Sequence, residues 1–72
     1  MPPKVRQIRA EVRNAGFRRE LGKGSHSKWE HELLPGVKIV ISGNDGDDAK
    51  PYQIKQVRDA LAKLEEAKRR RP

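Results

Sequence analysis

The chain has 72 residues, 33% of them apolar and 38% charged, with a net charge of +7 and no cysteine. A chain of this length makes one domain with a thin core and no room for an enclosed catalytic cavity, so any site is a surface patch. The lack of cysteine excludes a disulfide framework, a thiolate zinc site and a cysteine nucleophile, and no apolar run approaches a membrane span.

From Lys4 to about Ala15, the apolar residues Val5, Ile8, Val12 and Ala15 recur at helical spacing, with prolines ahead and Gly16 behind as a stop. This predicts a first helix. On its other side Arg6, Arg9 and Arg13 fall at i, i+3 and i+7, lining three guanidinium groups along one face. That stripe reads either as a solvated face or as a row of phosphate contacts. Phe17 to Leu21 alternates as a strand covered on one side does, with Arg18 and Glu20 outward. Gly22-Lys23-Gly24 follows as a turn, Ser27 to Glu32 as a second strand, Pro35-Gly36 as a second turn, and Val37 to Ile41 as a third strand facing Val37, Ile39 and Ile41 inward. Turns this short make an antiparallel meander.

The segment Gly43-Asn44-Asp45-Gly46-Asp47-Asp48 is a loop, and its carboxylates are read as acids placed ahead of a second helix that Pro51 opens. It fails as a calcium loop, because with Gly46 at the sixth position the twelfth is not Glu. The second helix runs from about Pro51 toward Lys68, with Ile54, Val57, Leu61 and Leu64 turned to the sheet. The expected fold is a single α+β domain of order α-β-β-β-α: a three-stranded antiparallel sheet with both helices on one face. The domain is expected over 1–67, followed by a basic tail, 68–72. The open sheet face is expected to carry Arg18, Glu20, His26, Lys28, Glu30, Lys38 and Ser42.

Charge is uneven: residues 1–42 carry +5, residues 43–67 carry −2, and Lys68 to Arg71 restore +4. Such a balance favours a nucleic-acid partner, although an anionic protein would feel the same field. Within the basic part, Gly22-Lys23-Gly24-Ser25-His26 sets a histidine among lysines. Imidazole exchanges protons near neutral pH, so a histidine on a polyanion-binding surface raises acid-base chemistry. The run is not a nucleotide-triphosphate loop, since the required G-x-x-x-x-G-K-[ST] is absent. Its backbone N–H groups can still nest an anion. No metal and no cofactor is assigned. Met1-Pro2-Pro3-Lys4 lacks the apolar segment of a signal peptide, and the cytoplasm is the expected compartment.

The element order and these residues resemble the HicA family of toxin endoribonucleases, also called YcfA-like, over about residues 4 to 61. Lys4-Val5 matches the opening of the family's first helix and Asn14-Ala15-Gly16-Phe17 its close. Gly22-Lys23-Gly24-Ser25-His26 matches the G-S-H turn, with Lys28, Trp29 and His31 where the family has a basic, an aromatic and a further histidine residue. Lys50-Pro51 matches the lysine-proline entry into helix two. The chain departs from the family at Ile41-Ser42-Gly43, where a histidine or proline is common, and at Pro51-Tyr52-Gln53, which lacks the usual glycine.

The resemblance implies a double-stranded-RNA-binding-domain-like fold, metal-independent cleavage of mRNA with His26 as the catalytic residue, and a HicB-like antitoxin as inhibitory partner. Cleavage by an internal 2′-hydroxyl needs a base, a charge on the crowded phosphate and an acid for the departing oxygen. His26 is the candidate base. Lys23, Ser25, Lys28, Arg6, Arg9 and Arg13 are the candidate phosphate and RNA contacts. His31 is left out: five residues of strand separate it from His26 by roughly 16 Å, on the opposite face, whereas Lys28 lies about 7 Å away on the same face. It reads as a packing or turn-anchoring histidine. Trp29 is expected in the core rather than as a base-stacking ring. The alternative is a non-catalytic RNA-binding module of the double-stranded-RNA-binding type, which the acidic run at Asp45, Asp47 and Asp48 opposes. Three strands between the helices disfavour a helix-turn-helix.

Overall fold

The computed structural model describes residues 1–20 and 26–70. The elements are α1 (Val5–Asn14), β1 (Arg18–Glu20), β2 (Ser27–Glu30), β3 (Lys38–Ile41) and α2 (Pro51–Arg69). The strands form one antiparallel sheet in the order β1-β2-β3, with Arg19 opposite Trp29 and Trp29 opposite Ile39. This is the α-β-β-β-α domain expected from the sequence. Among the described residues no helix is long and apolar enough to cross a membrane.

Val5, Ile8 and Val12 of α1 meet Trp29, Ile39 and Ile41 of the sheet and Val57, Ala60 and Leu64 of α2 in one buried cluster, closed by Phe17, Leu34 and Ala49. Each large apolar side chain buried in this way contributes about 1.5–3 kcal/mol. Trp29 is in that core, as its alternation with exposed Lys28 requires. The guanidinium of Arg13 lies over its ring, 6.0 Å from the centroid, within cation–π range.

Helix α1 ends where Gly16 takes a φ of +97°. The amides of Gly16 and Phe17 donate back to the carbonyls of Arg13 and Val12, the paired bonds of a Schellman close, which favours glycine at the left-handed position. The second strand stops at Glu30, two residues earlier than the alternation predicted. His31 turns the chain instead, its Nδ1 accepting the Leu33 amide at 3.0 Å. Strand one is also shorter than expected: Phe17 is buried ahead of β1, and Leu21 lies outside the described residues.

Two expectations are corrected by the packing of α2. Its buried residues are Gln53, Val57, Ala60 and Leu64, whereas Ile54 and Leu61 are only partly buried. The reason is that α2 lies along the outer edge of β3. Gln53 donates through Nε2 to the Ser42 carbonyl at 2.9 Å, while its Oε1 accepts the Lys50 amide. One turn on, Gln56 accepts the Val40 amide at 3.1 Å and donates to the Val40 carbonyl at 3.0 Å. Two carboxamides thus fasten the helix to strand-edge groups that would otherwise need a fourth strand or water.

The acidic loop is the second correction. Its carboxylates do not sit in the first turn of α2, which is free of acids. The loop instead returns to α1: the Asp47 and Asp45 carbonyls accept the Val5 and Arg6 amides, and Ala49 donates to the Pro3 carbonyl. Lys4 Nζ pairs with Asp48 at 2.6 Å. The free amides and positive dipole end of α1 thus find partners 40 residues downstream. Helix α2 runs through Lys68 to Arg69.

Candidate active site

His26 stands immediately before β2 and is exposed. The alternation of β2 then buries Ser27 and Trp29, exposes Lys28 and leaves Glu30 half-buried, so Lys28 and Glu30 share the sheet face away from the helices, with exposed His26 one residue ahead of the strand. Lys28 lies between Glu20 on β1 and Val40 on β3, and Glu30 between Arg18 and Lys38. Opposite charges therefore alternate across the open face, and Lys28 is the cation next to His26 along the strand. Val40, exposed beside Lys28, is an apolar spot on this surface. Lys23 and Ser25 lie outside the described residues.

The arginine row of α1 divides. Arg6 and Arg13 are exposed. Arg9 is turned into the molecule, its side chain 12% exposed, with Nη1 2.6 Å from Asp45 Oδ1 and Nη2 donating to the Gly43 carbonyl at 2.8 Å. Of the three candidate phosphate contacts, Arg9 is the one that clasps the 43–48 loop. Arg9→Ala is therefore expected to lower stability by about 2 kcal/mol, the range for hydrogen bonds to charged groups. The salt dependence of RNA binding should stay nearly unchanged. Thermal melts and binding titrations at several salt concentrations check this; a salt slope that drops by about one would instead make Arg9 a phosphate contact.

His31 is on the other side of the sheet. Its ring meets Phe17 edge to face with centroids 5.2 Å apart, and a Cβ on Gly16 would come within 3.2 Å of its Nε2. The structure brings His31 to the close of α1, not to His26, so a two-histidine site is not formed.

Sequence reading passed over Ser27. It is fully buried, accepts Trp29 Nε1–H at 2.9 Å and donates to the Ile41 carbonyl at 3.0 Å. Its phase with Trp29 was the available signal, because a serine two residues from an inward tryptophan also points inward.

The described residues make a basic α-β-β-β-α domain with an exposed histidine just ahead of β2 and an exposed lysine two residues on. The family model of the HicA toxin of bacterial toxin-antitoxin systems matches residues 5–68, and the chain belongs to that family. It is accordingly a toxin with an antitoxin partner. Comparison with curated proteins and with solved structures found no match.

Proposed function

We propose that this chain is an mRNA-cleaving endoribonuclease that needs no metal, uses His26 as its base and is neutralised by a HicB-like antitoxin in the cytoplasm. What supports this reading is an exposed His26 just ahead of β2 with exposed Lys28 two residues on, in a chain of the HicA family. In the proposed step, unprotonated imidazole of His26 takes the proton of a ribose 2′-hydroxyl. The 2′-oxygen bonds to the adjacent phosphorus, the bond from phosphorus to the 5′-oxygen breaks, and that oxygen takes a proton from solvent. The products are a 2′,3′-cyclic phosphate and a 5′-hydroxyl. Lys28, aided by Lys23 and the Ser25 hydroxyl, steadies the phosphate charge that grows in the transition state. Arg6 and Arg13, exposed on α1 beyond the sheet, are further contacts for an RNA long enough to wrap the domain. One base without a dedicated acid makes a modest catalyst, which suits a toxin held in check by a partner.

An open sheet face is also easily covered by a protein. The antitoxin would lie over Lys28, Lys38 and Val40, with acidic groups answering the lysines.

The test is incubation of the purified protein with end-labelled single-stranded RNA in EDTA. Fragments ending in 2′,3′-cyclic phosphate are the expected result. Cleavage that stops in EDTA and returns with added magnesium would overturn the metal-independent step. RNA left whole but retarded in a gel would favour the binding module, although Asp45, Asp47 and Asp48 crowd the start of α1 that such a module would use.

A further inference from the structure

We infer that Ser27 is a positioning residue for His26, acting through the buried relay Trp29 Nε1–H to Ser27 Oγ to the Ile41 carbonyl; the inference rests on the proposed role of His26. A hydroxyl in a core is unfavourable unless its hydrogen bonds are made. Ser27 makes both: 2.9 Å from the indole nitrogen and 3.0 Å to the Ile41 oxygen, with no side-chain exposure. Packing alone would be met by alanine or valine. What the hydroxyl adds is direction. It ties the first residue of β2 to the last residue of β3, at the register pair Ser27 and Ile41.

That is the end of the sheet from which His26 emerges. A strand end is where backbone pairing frays first, and His26 is exposed and has no side-chain hydrogen bond among the described residues. Its position therefore depends on the backbone one residue on. The relay fixes that backbone from two sides: through Ile41 to β3, and through the Trp29 ring to the core beneath Arg13. Lys28 is fixed by the same segment, so a single anchor sets the spacing between the base and the phosphate-holding cation.

Ser27→Ala is the test, with His26→Ala beside it, both assayed well below their melting temperatures. Loss of geometry without loss of contact surface should lower kcat about ten- to a hundredfold, the scale of a sub-ångström to ångström misplacement, and leave KM within about twofold. Folded Ser27→Ala with wild-type kcat, or with a change confined to KM, would overturn the positioning role. If His26→Ala cleaves like the wild type, the reading of His26 itself fails, and that outcome is separate from Ser27. A measurement on the wild-type protein decides even if Ser27→Ala does not fold: the backbone order parameter of His26 should be about 0.85, as in a rigid element. A value under about 0.6 would show that the anchor does not reach it.

Discussion

His26→Ala is expected to cut the rate of RNA cleavage by about a hundredfold or more, the contribution of a positioned proton-transfer group, while RNA is retained in a gel as before. The melting temperature should move by no more than about 3 °C, because an exposed residue outside the core contributes little to packing. Product analysis by gel and a thermal melt on one preparation check both halves. A mutant that still cleaves would move the base elsewhere, with Lys23 and Lys28 the first to examine. A mutant that fails to fold would make His26 structural.

The largest stability effect is expected at Trp29. A domain of this size is stable by about 4 to 11 kcal/mol, and replacing a buried tryptophan by alanine removes about 3 to 5 kcal/mol. The loss here includes the donor to Ser27 and the ring under Arg13. Trp29→Ala should therefore melt at least about 12 °C lower, at roughly 4–8 °C per kcal/mol for a domain this small. Circular dichroism against temperature measures it. A drop of only a few degrees would mean that the ring is not the centre of the core.

The elements could be read from the sequence because each carries its own local code. Val5, Ile8 and Val12 repeat at helical spacing, Ile39 and Ile41 alternate, and Gly16 and Pro51 mark a helix end and a helix start. The open face followed from parity alone: once Trp29 is inward, Lys28 is outward. What could not be read was the joinery between elements distant in sequence. Arg9 looked like its neighbours Arg6 and Arg13 until the fold brought Asp45 and Gly43 beside it. The three loop aspartates looked like the preface to α2, since nothing local tells a carboxylate which helix start it will face. Gln53 and Gln56 fall outside the predicted apolar stripe of Ile54, Val57, Leu61 and Leu64, and become strand-edge partners because α2 lies along the outer edge of β3. Ser27 shows the same limit more narrowly: parity places it inward, but only the register with Ile41 gives its hydroxyl an acceptor.

The fastening of β3 by Gln53 and Gln56 also governs how copies of this chain can associate. Extending a sheet from molecule to molecule without end requires two receptive edges, one to give and one to receive. Among the described residues, α2 occupies the Val40 and Ser42 groups on one side and leaves β1 as the edge on the other. Edge pairing between two such chains joins their β1 strands, so among the described residues it favours pairs of molecules over an extended sheet.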